Sequence, residues 1–189
     1  RKTYFYPDNP NAYQITQLYE PIVWLWSVKT VVNWEVREFA IHHMHLENDA
    51  WKLTHAGWKT LCDYNRAGSP LMEIVTMPVF HSREEVMEFL KELQKIMRAA
   101  WVSDADMEKG QMRLEPNISL QTDAQKEAGE LPSYKVEIKN INSFRFMEKA
   151  VKAEIKRQAE LLDSGETPLQ ENRGYVESKG TTVSQRSKE

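Results

Sequence analysis

Cysteine occurs once, at Cys62, so no internal disulfide can form and nothing points to an oxidising compartment. No apolar run approaches the roughly 20 residues that span a bilayer. A large charge excess is also missing. A net charge of −3 excludes a generic polyanion binder held by bulk charge, so any nucleic-acid contact must come from a local basic patch. Neither a Walker A loop nor Gly-x-Gly-x-x-Gly is present, so a bound nucleotide would be held by metal and side chains on a sheet. The chain opens on Arg1-Lys2-Thr3 without an apolar signal segment, and we expect a cytoplasmic protein. The missing initiator Met, and the lack of a stop signal in Arg186-Ser187-Lys188-Glu189, read as cuts in a longer chain.

Glycine is the most informative shortage. There are seven, against about 13 expected at roughly 7% usage, and there are six tryptophans. Several Trp stand where backbone logic asks for Gly. Asn33-Trp34 separates two strand-like runs, where Asn-Gly would make a type I′ hairpin turn. Trp101 follows a run of helix formers at the place of a C′ glycine, and Gly57-Trp58 lies in a polar turn. One hypothesis is that these Trp are UGA codons from a lineage that reads UGA as glycine. The alternative is a Trp-rich surface or partner interface. Sequencing the codons separates the two.

What is present reads as α+β. Residues 1–22 form an aromatic, turn-rich loop, and residues 28–32 and 36–46 form a hairpin. Alternation in its second strand puts His43, His45 and Glu47 on one face and His42, Met44 and Leu46 on the other. Residues 71–76 are an apolar strand closed by Pro78. A helix then starts at the N-cap Ser82, with Glu85 completing a capping box and Val86, Phe89, Leu90, Leu93, Ile96 and Met97 at helical spacing. Residues 112–120 alternate as a strand, 121–133 read as a mobile polar loop, and 134–138 form another strand. Ser143 caps a long second helix that buries Phe144, Met147, Val151, Ile155, Gln158 or Ala159, and Leu162, and ends at Gly165. A strand-like run surrounds Val183. The expected whole is one mainly antiparallel sheet, with amphipathic helices on its apolar face and a polar active-site face opposite.

That polar face carries the chemistry. Glu47, Glu73, Glu115 and Glu137 come from four separate runs, accompanied by His43, His45, Arg113, Asn117 and Lys139. Carboxylates on a sheet face suit hard divalent cations such as Mg²⁺, which keeps waters and bridges to substrate phosphates. Glu73 is the sharpest residue, because a carboxylate inside an apolar run is usually paired, protonated or metal-bound. An ordinary solvated sheet face is the bland reading of the others. His42, His43 and His45 invite a zinc reading, but no His-Glu-x-x-His or cysteine pair supports it. Arg145, Lys149, Lys152 and Lys156 stripe the second helix, which suits either an RNA backbone or solvent.

Several runs together resemble the B subunit of the aspartyl/glutamyl-tRNA amidotransferases. They are Lys2-Thr3-Tyr4-Phe5-Tyr6-Pro7-Asp8, Tyr13-Gln14-Ile15-Thr16-Gln17, His45-Leu46-Glu47-Asn48-Asp49-Ala50 and Asn65-Arg66-Ala67-Gly68-Ser69-Pro70-Leu71-Met72-Glu73-Ile74-Val75. Val102-Ser103-Asp104, Met107-Glu108-Lys109-Gly110, Arg113-Leu114-Glu115-Pro116-Asn117-Ile118-Ser119, Val136-Glu137-Ile138-Lys139-Asn140-Ile141-Asn142-Ser143-Phe144 and Arg186-Ser187-Lys188-Glu189 follow in family order. They run the length of residues 1–189, which the resemblance implies are part of the catalytic cradle domain.

The resemblance implies a glutamine-synthetase-like cradle that uses ATP and Mg²⁺ to activate the side-chain carboxylate of Glu or Asp on misacylated tRNA. It implies an A subunit that makes ammonia from glutamine, and a C subunit that clasps the other two. Carried over by position, Glu73 matches a metal ligand and catalytic residue, and Glu47 matches the first acid of a Glu-Glu-Asp run that holds metal. Asn48 stands where the second Glu, a metal ligand, is usual; its carbonyl can coordinate with less charge. Glu115 replaces an active-site Asp. Arg113 and Lys2 match catalytic cradle residues, and Asn117, Glu137 and Lys139 match nucleotide-side ones. All six Trp sit where the family commonly or plausibly has Gly, which favours recoding. Two other readings compete: a non-catalytic fragment or paralogue that binds tRNA or partner subunits, and a metal hydrolase built on His43 and His45.

Overall fold

A computed structural model describes residues 1–185, and the run Arg186-Ser187-Lys188-Glu189 lies outside the described residues. The chain divides into two compact units, Arg1–Leu93 and Gln94–Glu189, with the division falling inside a helix. The α+β reading holds, but the single sheet does not. Among the described residues, the strands form four small sheets.

In the first unit, β1 (Lys2–Thr3) pairs with β2 (Tyr13–Gln14). The strands β3 (Val23–Val32) and β4 (Glu35–Asn48) form the expected hairpin, longer at both ends than its apolar runs suggest. Next come the hairpin of β5 (Lys52–Ala56) and β6 (Lys59–Asp63), and then β7 (Pro70–Thr76), which pairs antiparallel with β4 to give the order β3-β4-β7. α1 (Arg83–Ala99) covers the start of that sheet. Phe89 meets Phe39 edge-on, and Phe80 stacks on Phe39 with ring centroids 4.9 Å apart.

Ser82 caps α1, accepting from the Glu85 backbone N–H at 3.2 Å. The expected capping box is rearranged. The Glu85 carboxylate accepts from the His81 N–H at 2.6 Å and from Arg37 at 3.0 Å, so it anchors the helix to β4. α1 ends in a Schellman motif, with Trp101 N–H bonded to the Arg98 carbonyl and Val102 N–H to the Met97 carbonyl.

The second unit builds the order β11-β10-β9-β8 from β8 (Asn117–Ile118), β9 (Val136–Lys139), β10 (Asn172–Val176) and β11 (Thr181–Ser184). The expected strand over 112–120 shrinks to β8 and a lone bridge, Leu114 to Ile141. Pro116 has no N–H to give to a ladder, although its carbonyl accepts from Ile138. Residues 121–133 are not simply loop: they contain α2 (Asp123–Ala128), held by a Thr122–Gln125 capping box and closed by Gly129 at φ 69°. β9 and β10 pair in parallel, which needs a crossover, and α3 (Phe144–Asp163) supplies it.

Ser143 caps α3, accepting from the Phe146 N–H at 3.1 Å, and Gly165 at φ 83° closes it. The buried face of α3 differs from the apolar pattern. It presents Met147, Ala150, Glu154 and Gln158, while Ile155 is exposed. Glu154 is fully buried because every lone-pair direction is met: Arg157 and Gln158 donate to Oε1 at 2.6 and 2.8 Å, and Thr182 and Arg157 to Oε2 at 2.5 and 3.0 Å. Arg173 of β10 lies 3.6 Å away. A hydropathy pattern cannot foresee a carboxylate in a core, since only these partners remove its desolvation cost.

Candidate functional site

In the first unit, the odd-numbered residues of β4 from Phe39 onward point into the sheet's buried side. The row begins apolar, with Phe39 and Ile41, and turns polar, with His43 and His45 also buried and Glu47 half-buried. The expected separation of a polar face from an apolar one is therefore wrong for β4; one row is apolar at one end and polar at the other. His45 lies directly across from Glu73 on β7, and Glu47 across from Leu71.

The result is a cluster. His45 Nε2 is 3.2 Å from Glu47 Oε1 and 3.5 Å from Glu73 Oε2, and ligand atoms of all three lie within 4.8 Å of one another. His45 is 9% exposed, whereas the Glu73 side chain is 51% exposed. Glu73 is thus an exposed acid on an apolar strand, not a desolvated one. The His43 ring stacks on His45 at 5.1 Å, and its Nδ1 meets that of His42 at 2.7 Å. Burial, reinforced by His45 and His42, holds the His43 imidazole below its usual pKa, which favours its neutral form.

Asn48 ends β4 opposite Pro70. Its backbone is clamped by the Gln14 side chain, which donates to its carbonyl at 2.8 Å and accepts from its N–H at 3.0 Å. Gln14 pairs in turn with Lys2, whose side chain is exposed. A two-stranded ribbon thereby ties Lys2 to the Glu47–Asn48 end of the cluster.

The second unit gathers the other named residues. Lys139 pairs with Glu137 beside it on β9 and with Glu115 at 3.0 Å. Asn117 is paired across the ladder with Glu137. Glu115 lies outside any strand, two residues after the exposed Arg113. Burial opposes the Glu115 charge, but hydrogen bonds from Glu137 and Lys139 outweigh it and hold the carboxyl below its ordinary value, with Arg113 adding to the effect. Burial and the bond shared with Glu115 push Glu137 up. Burial also opposes the Lys139 charge, and is outweighed by the two carboxylates, which raise its pKa. One carboxylate is kept charged and its neighbour inclined to hold a proton, the usual consequence of two adjacent acids sharing one proton, since the Lys139 cation lowers both.

Glu47 and Glu73 are therefore brought together in one unit, and Glu115, Asn117, Glu137 and Lys139 in the other. The sequence offered His45 as a polar face residue and, with its histidine neighbours, as a weak zinc ligand; its place between two carboxylates depends on the β4–β7 register, which no local pattern encodes. Of the basic stripe on α3, Lys149 pairs with Glu177, and Lys156 lies 3.8 Å from Glu160, so part of it is already neutralised.

These features define an α+β protein with a His-Glu-Glu cluster of cation-binding composition in one unit and a Lys-Glu-Glu group in the other. Residues 1–189 match the GatB/GatE catalytic domain, and the chain belongs to that family. Over its whole length it is 47% identical to the B subunit of the aspartyl/glutamyl-tRNA(Asn/Gln) amidotransferase of Persephonella marina, 46% to its counterpart in Elusimicrobium minutum and 45% to that in Macrococcus caseolyticus. It spans 38–39% of the length of these relatives. Among the described residues, no helix is long and apolar enough to cross a membrane.

Proposed function

We propose that this chain is the catalytic region of the B subunit of a tRNA-dependent amidotransferase, with a glutamine-synthetase-like cradle. The proposed substrates are Glu-tRNA(Gln) or Asp-tRNA(Asn), ATP, and ammonia released from glutamine by an A subunit, with a C subunit holding the pair. The observation that carries the reading is the Glu47–Glu73 pair at His45, within a chain that matches the family from end to end.

The residues fit a divalent cation. Two carboxylates, one of them exposed, form an oxygen pair of the type Mg²⁺ takes while retaining waters. A bound Mg²⁺ would supply charge neutralisation for phosphate oxygens. The rest falls to the chain. Arg113 and Lys139 are the cations suited to phosphate, and Glu115 and Glu137 hold Lys139 in place. Lys2 is suited to a carboxylate or phosphate on the ribbon beside Glu47.

In the proposed reaction, a side-chain carboxylate oxygen of the aminoacyl group forms a bond to the γ-phosphorus as the bond to ADP breaks. Ammonia then forms the C–N bond, loses a proton, and phosphate leaves. Such chemistry relies on positioning and electrostatics more than on a protein nucleophile.

The test is phosphate release by the complete complex with Glu-tRNA, ATP and Mg²⁺. Glu73→Gln keeps the shape and removes the charge, and is expected to lower turnover by roughly 10²-fold. Wild-type turnover with an undiminished E73Q would remove Glu73 from the site. No release by wild type, with intact partners, would favour the non-catalytic reading that Asn48 and Glu115 motivate.

A further inference from the structure

His45 has the position of a metal ligand but not the hydrogen bonding of one. Its Nδ1 is buried, with no hydrogen-bond partner among the described residues. A proton placed there would be an unsatisfied buried donor, which is costly. The proton therefore belongs on Nε2, where it is donated to Glu47 Oε1 at 3.2 Å. Ligation through Nε2 needs the opposite tautomer, and ligating histidines normally hand the Nδ1 proton to an acceptor.

The surroundings fix this arrangement. The His43 ring stacks on His45 with planes 24° apart, and the strand register sets His45 opposite Glu73. Glu73 Oε2 lies 3.5 Å from the same Nε2, close enough for electrostatic attraction though beyond a good hydrogen bond. One buried N–H thus restrains one oxygen of Glu47 and draws in one of Glu73, countering the repulsion between two like charges.

We propose that His45 is a positioning residue, whose Nε2–H holds Glu47 and Glu73 side by side as carboxylate ligands of a cation without itself binding the ion. This rests on the metal reading of the Glu47–Glu73 pair given above. It makes the imidazole responsible for the geometry of the site and the carboxylates for its charge.

Mn²⁺ binding to the full-length subunit, followed by electron paramagnetic resonance, tests it. The signal lost in Glu73→Gln reports this site. His45→Ala should weaken Mn²⁺ binding there by roughly 10–100-fold, the effect typical of removing an outer partner. His45→Gln, whose amide N–H reaches near the Nε2 position, should recover most of that loss. Pulsed spectra should show the same ¹⁴N coupling in wild type and H45Q. Loss of a ¹⁴N coupling in H45Q would make His45 a ligand and overturn the proposal. So would wild-type affinity in a folded H45A. The H45Q comparison stands even if H45A fails to fold. A wild-type subunit with no Mn²⁺ signal sensitive to E73Q would overturn the metal reading, and this inference with it; an E73Q-sensitive signal indifferent to His45 would overturn the inference alone.

Discussion

Trp34 and Trp101 carry φ of 70° and 58°, the left-handed region that glycine enters without strain. Their side chains are 98% and 95% exposed, so no packing offsets the backbone cost. At the hairpin, Asn33 also has positive φ, as a type I′ turn requires, and tryptophan occupies the second position. After α1, Trp101 takes the C′ place that Gly165 takes after α3, with the same pair of backbone bonds. Trp34→Gly and Trp101→Gly are each expected to stabilise the protein by about 1 kcal/mol, read as a higher urea midpoint. Trp58→Gly is expected to do nothing of the kind, because Gly57 takes the positive φ of its turn. A lowered midpoint for W34G or W101G would contradict the backbone argument. Trp51 differs again: its indole N–H is buried without a hydrogen-bond partner among the described residues, a cost of a different sort. Two of the six sites thus have a backbone reason for glycine, one has an unsatisfied donor, and sequencing of the codons decides the origin of all six. UGG codons would exclude recoding.

At the scale of elements, α3 depends on Glu154. Glu154→Ala leaves Arg157, Thr182 and Gln158 without their acceptor and should destabilise by roughly 3–5 kcal/mol. Burial pushes the Glu154 carboxyl up, but hydrogen bonds from Arg157, Thr182 and Gln158 outweigh it and hold the group below its ordinary value. Its contribution is therefore fully present above the ordinary carboxylate pKa and is lost as pH falls through the lowered folded value. The acid limb of the stability curve should flatten in Glu154→Gln; an unchanged limb would show that other carboxylates dominate acid unfolding. Ser143→Ala removes the cap of the same helix and should cost about 1 kcal/mol in the same assay.

The helix ends were legible because caps are local. Ser82, Ser143 and Gly165 each act within a few residues of their place in the chain. α2 was missed, because the polar composition of residues 121–133 read as loop although Thr122-x-x-Gln125 carries its capping box. The burial of Glu154 was not legible, since its partners Arg173 and Thr182 come from distant strands. Nor was the shortening of the strand over 112–120, where alternation was real but Pro116 broke the ladder.

For the whole molecule, the residues that the resemblance singles out fall into two groups in two units, where the sequence suggested one sheet face. Alternation correctly placed His43, His45 and Glu47 together. It could not tell that this row continues the apolar core of Phe39 and Ile41, because burial depends on which neighbours cover each end of a strand. The parallel β9–β10 pairing was equally hidden, since register and direction between distant segments are not written locally. The proposed function runs through activation of a carboxylate, and one measurement reaches it directly. In the complete complex, Glu-tRNA labelled with ¹⁸O at both oxygens of the side-chain carboxylate is turned over with ATP, Mg²⁺ and glutamine, and the released phosphate is weighed. The account predicts one ¹⁸O in each phosphate formed with amide product; amide formed with unlabelled phosphate would contradict it.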